Sequence, residues 1–364
     1  MRKALAEKLL AKILDWDPSV ISNERPIIQA MSSFKFDEYQ QFSTGTLFIE
    51  SLVKWLSQFK EVDERQTAYN FIRNKLLFLS NRQVLSLVEV TYDSIIRPIL
   101  INKTAEELSL SKYEIRNIFN SDQYKHQKRK CLYIGLSDGA KIDQLRRSAG
   151  LNNEQVVPTY EISKDKTDDL LSELKSANGE IHFNTIFLID DFTASGTSYS
   201  RTDGNIRKGK IPKIIEKIID EESELYPLID HNERIDIHII FYIATTEAID
   251  KITEYTNSDI FRKTPYSKID IDIHVVQYIP SDTKDRVKNE ESEFVELSKK
   301  YIHIDIVDKH WKKAKHEEFY LGYNECCLPI VLSHNTPNNS LPLLWWSSEK
   351  HDFNGLFPRI TRHS

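Results

Sequence analysis

Residues 185–201 read TIFLIDDFTASGTSYSR. Ile186, Phe187, Leu188 and Ile189 lead into two adjacent carboxylates, Asp190 and Asp191, and small or hydroxylated residues then surround Gly196. An apolar run of this kind reads as a buried strand, and in a parallel sheet ligands sit beyond the carboxyl ends of the strands. The strand therefore delivers the two aspartates to a ligand edge. The following loop, Thr193, Ala194, Ser195, Gly196, Thr197 and Ser198, offers successive backbone N–H groups and hydroxyls, and Gly196 permits close approach of the backbone. Such a nest of donors binds phosphate. Carboxylates beside it would repel a bare phosphate, but they suit the hydroxyls of an attached sugar, or a magnesium ion. The ligand class that satisfies both halves is a sugar phosphate.

From Ile186 to Ser198, IFLIDDFTASGTS resembles the phosphoribosyl-pyrophosphate (PRPP) signature of type I phosphoribosyltransferases: four apolar residues, two acidic, two variable, then small-small-Gly-variable-Thr/Ser. The resemblance implies an α/β fold with a mainly parallel sheet of that type. It implies that Asp190 and Asp191 are the catalytic pair on the ribose hydroxyls, touching magnesium indirectly through ribose or water, and that Thr193–Ser198 clamp the 5′-phosphate. The family also has a pyrophosphate loop after an earlier strand. CLYIGLSDGAKIDQLRRSAG supplies a candidate in Ser137, Asp138, Gly139 and Lys141, with a helix expected to open at Ala140. Two departures stand out. Asp138 occupies a loop that often carries a basic residue, leaving Lys141 as the nearest cation, and YSRTDGNIRKGK intervenes after the phosphate loop before a helix expected over residues 213–222.

These residues need a scaffold, and the chain's periodicity changes near residue 125. Residues 1–125 read as helical and 126–364 as the sheet domain. Leu5, Leu9, Leu10, Ile13 and Leu14 make an amphipathic first helix rather than a signal peptide, and Phe48, Leu52, Trp55 and Phe59 share another helical face. Leu76, Leu77 and Leu79 close a further helical pattern. Ser80 with Gln83, and Thr104 with Glu107, read as capping boxes, and Pro98 should kink or end the helix opened at Ser80. The basic run Tyr124–Lys130 reads as a solvated connector. Strands are expected over 131–136, 185–189, 235–243, 269–278, 301–306 and 327–332, alternating with helices such as 246–255.

A net charge of −6 argues against a surface that is wholly a nucleic-acid footprint, no apolar run is long enough to span a bilayer, and three cysteines without metal-ligand spacing fit a reducing cytoplasm. The helical front, FDEYQQFSTGTLFIESLVKWL within it, and the tail YLGYNECCLPIVLSHNTPNNSLPLLWW resemble the phosphoribosyltransferase-like effectors of bacterial conflict systems, found beside antiphage modules including some retrons. In that tail His334 is a candidate general base, and the amides of Asn335, Asn338 and Asn339 are candidates for an acceptor site, set against a simple Asn-Pro turn with Trp345 and Trp346 in the core. The expected protein acts at C1 of a ribose 5-phosphate compound such as PRPP with magnesium, as an oligomer or with a defence-system subunit or nucleic acid, and not at a membrane. A non-catalytic PRPP or nucleotide sensor, or a structural subunit of a ribonucleoprotein complex, are the alternatives.

Overall fold

The computed structural model describes residues 3–178, 182–204, 206–263 and 265–359. The chain divides into two compact units, one made of residues 1–83 with 281–364 and the other of residues 84–280. The division expected near residue 125 is thus displaced, because residues 1–83 of the helical front group with the end of the chain and residues 84–125 with the sheet.

The first unit opens with helices Lys3–Ile13, Pro18–Phe34, Phe48–Leu56 and Val62–Asn74. Phe48, Leu52, Trp55 and Phe59 are all buried, as their spacing requires. Strand β1 (Leu77–Leu79) follows, where the sequence reads as the end of a helix.

A helix over Asn81–Thr91, which runs from the end of residues 1–83 into the second unit, starts at the expected cap: the Ser80 hydroxyl accepts from the Gln83 amide at 3.1 Å and the Gln83 side chain accepts from the Ser80 amide at 3.0 Å. One π turn, Tyr92–Ile96, connects it to a second helix, Arg97–Leu108, with Pro98 in its first turn where no N–H is needed. The helix therefore continues through Thr104, whose hydroxyl donates back to the Leu100 carbonyl at 2.8 Å, and no capping box forms there. The basic run lies in the helix Asp122–Arg129, and Arg129 is buried against Glu154 at 2.8 Å rather than solvated.

The sheet comprises β2 (Cys131–Gly135), β3 (Val156–Val157), β4 (Thr185–Thr193), β7 (Ile235–Thr245) and β8 (Ile269–Ile279), in the order β3-β2-β4-β7-β8 and parallel throughout. A short antiparallel hairpin, β5 (Arg201–Asp203) and β6 (Ile206–Lys208), follows the Thr193–Ser198 loop. The core strands are runs of β-branched and aromatic residues without alternation because both faces are covered. The helix Lys210–Ile219, starting earlier than expected, buries Ile211, Ile214, Ile215 and Ile218 at helical spacing. Each such side chain contributes roughly 1.5–3 kcal/mol. Since β2 has β3 on one side and β4 on the other, the order reverses between β2 and β4, and a crevice opens at their carboxyl ends.

The chain then returns to the first unit with helices Thr283–Glu290 and Ser292–Tyr301. The strand expected over 301–306 does not form. Ile302 and Ile306 are buried while Ile304 is 48% exposed, so the anchors are four apart, and the segment makes a 3-10 turn with the His303 ring accepting from the Asp305 amide. The last expected strand shortens to β9 (Ile330–Leu332), which pairs in parallel with β1 and not with the five-stranded sheet. Phe36 gathers Phe48, Phe78 and Phe357 around it, Phe71 stacks on Phe294 at 3.7 Å, and the Trp55 indole donates to the Leu343 carbonyl at 2.9 Å. Trp345 and Trp346 are buried in the same core. Among the described residues no helix is long and apolar enough to cross a membrane.

Candidate functional site

Both loops singled out by the sequence emerge at the β2/β4 reversal. Leu136 follows β2 and its amide donates to the Ile189 carbonyl at 2.8 Å, which brings Ser137–Lys141 alongside the end of β4. Asp138–Ala140 form one 3-10 turn, Lys141 takes a left-handed conformation (φ 46°), and the helix proper runs Ile142–Ala149. The helix expected to open at Ala140 is thus offset by that turn. The Tyr242 hydroxyl, from β7, holds the turn by donating to the Ala140 carbonyl at 2.8 Å.

The two aspartates have different surroundings. Asp190 is 0% exposed, and its carboxylate accepts from four donors: the Ser137 hydroxyl, the Tyr199 hydroxyl at 2.6 Å, Lys210 Nζ at 2.7 Å and the Asp191 amide at 3.0 Å. Burial raises its carboxyl above the ordinary value, and the neighbouring Asp191 charge raises it further, against the ion pair and hydrogen bonds with Lys210 and Ser137. With its lone pairs committed, Asp190 ties the two loops to the start of the 210–219 helix. Asp191 is half-buried, and its carboxylate packs on Gly139: a Cβ there would lie 2.6 Å from Asp191 Cγ. Glycine at 139 is what lets the turn pass under that carboxylate.

The candidate phosphate loop, Thr193–Ser198, is fixed by the helix Thr246–Thr256. Gly196 has φ +67°, and a Cβ would stand 2.9 Å from the Ala248 carbonyl. The Thr245 hydroxyl donates to the Ala194 carbonyl at 2.5 Å while accepting from the Ala248 amide, so one side chain both caps the helix and anchors the loop. Lys251 reaches back to the Thr197 hydroxyl at 2.9 Å. The Tyr199 and Ser200 amides close on the Gly196 carbonyl at 2.9 Å. Among the described residues, the amides of Ser195, Gly196 and Ser198 have no acceptor. Thr193, Ala194, Ser195 and Thr197 are buried and Ser198 is exposed. A turn with such amides and a lysine at its back has the donors that anion binding needs.

Lys210, Tyr199, Thr245 and Lys251 were missed by the sequence reading. Tyr199 directly follows the signature, but nothing local pairs Lys210 with a residue 20 positions earlier. Magnesium accepts one or two carboxylates alongside water and substrate oxygens. Asp191 offers such an oxygen, whereas Asp138, Asp190 and Asp191 do not gather into a ready-made cage among the described residues. The donor set fits a metal held partly by substrate or water.

His334, Asn335, Asn338 and Asn339 belong to the first unit, so they are not part of the unit that carries the aspartates. There Asn339 Nδ2 donates to the Tyr323 carbonyl at 3.1 Å, the Asn338 carbonyl accepts from the Tyr323 amide at 2.8 Å, and the Asn335 amide bonds the Leu332 carbonyl at 3.1 Å. These contacts knit a turn.

A five-stranded parallel sheet with paired loops at its reversal defines a phosphoribosyltransferase-like α/β protein. The profile of the family described as PRTase-CE matches residues 52–359, and the chain belongs to that family. Comparison with curated proteins and with solved structures returns no match.

Proposed function

We propose that residues 84–280 bind a ribose 5-phosphate group and that the protein acts at its C1, by phosphoribosyl transfer or hydrolysis, with PRPP as the natural donor. The observation that carries this reading is the meeting, at the β2/β4 reversal, of the half-buried Asp191 with a loop whose Ser195, Gly196 and Ser198 amides lack acceptors among the described residues. The loop clamps the 5′-phosphate, and Asp191 holds the ribose hydroxyls. Asp190 positions both loops, and Ser137–Lys141 meet the leaving group. The C1–oxygen bond breaks with its electron pair leaving on pyrophosphate, and a lone pair of the acceptor or of water forms the new bond. Positive charge develops on the sugar carbon, so Asp191 stabilises the transition state more than the ground state. Magnesium, when bound, would neutralise the leaving pyrophosphate.

In the cell the protein serves as a cytoplasmic effector of a bacterial antiphage system, retron-associated and working as an oligomer or with a defence subunit. The front and tail resemblances support that role. Asp138 gives a specific reason to hold a second reading, a PRPP or nucleotide sensor without turnover: it is exposed in the loop that would otherwise meet pyrophosphate with a cation. Calorimetry with PRPP and with ribose 5-phosphate, with and without magnesium, combined with a pyrophosphate-release assay, tests both. Binding with release supports the enzyme, binding alone supports the sensor, and no binding of either compound at millimolar concentration overturns both.

A further inference from the structure

Away from the loops, β7 and β8 carry a cluster that sugar-phosphate chemistry does not use. His238 of β7 stands opposite Asp272 of β8 in the register, and His274 opposite Ile240, so all three side chains project from one face of adjacent strands. His238 Nδ1 lies 3.2 Å from His274 Nε2 and 3.7 Å from an Asp272 carboxylate oxygen. One donor atom from each residue falls within 4.8 Å of the others.

We propose that His238, His274 and Asp272 bind a zinc ion, with water in the fourth position. Two nitrogens at the usual zinc distance in a tetrahedral site are about 3.3–3.4 Å apart, which the 3.2 Å separation already meets. The longer 3.7 Å edge closes by a small rotation of Asp272, which is exposed and free to turn where the buried His238 is not. Imidazole with a carboxylate suits zinc better than magnesium or calcium, which favour all-oxygen sets. The His238 ring is set by stacking on Phe187 at 5.2 Å, and its Nε2 has no acceptor among the described residues, so packing orients the ligand. The charge of Lys103 is engaged by Asp236 at 2.6 Å and so adds little repulsion.

His238 is seven residues before the carboxyl end of β7, roughly 20 Å along the strand from the sugar-phosphate loops. The ion is therefore not a reactant. It joins the edge strand β8 to the sheet interior, and the inference stands independently of the proposed activity.

The test is zinc binding by the full chain, measured by competition with a chromophoric chelator, and the visible spectrum after cobalt substitution. One zinc per chain and an intense tetrahedral cobalt spectrum are expected. His274→Ala, at a half-exposed position, should weaken zinc at least about a hundredfold, since even residues that merely orient a ligand are worth 10–100-fold, and Asp272→Asn should weaken it less. His351→Ala, in the separate exposed group His303, Asp305 and His351, should leave it unchanged. Absence of stoichiometric zinc, zinc that survives His274→Ala, or zinc lost with His351→Ala would each overturn the assignment.

Discussion

Replacing Lys210 by methionine probes the link between the aspartate pair and the fold. Asp190 is 0% exposed and would keep three donors, from Ser137, Tyr199 and the Asp191 amide, while losing its only ion-pair partner among the described residues. Removing one member of a buried pair costs about 3–5 kcal/mol when the survivor stays charged. Lys210 is itself 25% exposed and three donors remain, so the low end, about 3 kcal/mol, applies near neutral pH. The loss must depend on pH. The native Asp190 carboxyl is already raised, and loss of Lys210 raises it further. Between the unfolded value of about 3.9 and the folded one, the native state keeps a proton that the unfolded chain has released, and stability falls as pH rises, by at most about 1.4 kcal/mol per pH unit. Lys210→Met should therefore be nearly as stable as the parent at about pH 4 and lose ground up to pH 7. Urea unfolding followed by far-ultraviolet circular dichroism reads this, because all five tryptophans lie in the other unit and do not report on it. Adding Asp190→Asn to Lys210→Met should recover part of the loss at neutral pH. A loss that is the same at every pH, or an Asp190→Asn change that deepens it, would refute the reasoning.

Gly196→Ala must place a side chain at φ +67° and against the Ala248 carbonyl; ribose 5-phosphate affinity should fall at least about tenfold by calorimetry, with a stability cost of about 1–2 kcal/mol. Asp191→Asn should keep most of that affinity but lower pyrophosphate release from PRPP a hundredfold or more, about 3 kcal/mol of transition-state stabilisation. Residues 84–280 expressed alone should be soluble and bind ribose 5-phosphate by calorimetry, whereas 126–364 should aggregate, because residues 281–364 would lack Phe36, Phe48 and Trp55.

What could be read in advance was what local chemistry decides. Strands β2, β4 and β7 show as largely apolar runs because they are covered on both faces, the edge strand β8 shows as an alternating one, and the Ser80–Gln83 cap is legible because its partners are three residues apart. Thr104–Glu107 has the same letters, but a helix already running through it uses the hydroxyl otherwise. The stretch at 302–306 alternates like a strand, yet only its outer isoleucines find a core. For the site, the loop and both aspartates follow from residue type. Their different environments do not, since these depend on Ser137, Tyr199 and Lys210 converging from separate elements. The boundary was hidden for the same reason: β1 and β9 recognise each other across some 250 residues, and no periodicity encodes a partner that distant.

That pairing also sets an order of events during synthesis. The unit of residues 84–280 is continuous and can fold as it leaves the ribosome, but the other unit begins with the first 83 residues and cannot close until its last strand arrives. About 250 residues are made between residue 83 and β9, which at roughly 5–20 residues per second is a wait on the order of 12–50 s. Throughout it Phe36, Phe48, Trp55, Phe71 and Phe78 lack Phe294, Leu343 and Phe357, the residues that later cover them. A nascent chain in this state is a natural client for a chaperone. A message cut short after the codon for Pro280 would yield a finished sheet unit tethered to an aromatic segment that nothing can bury.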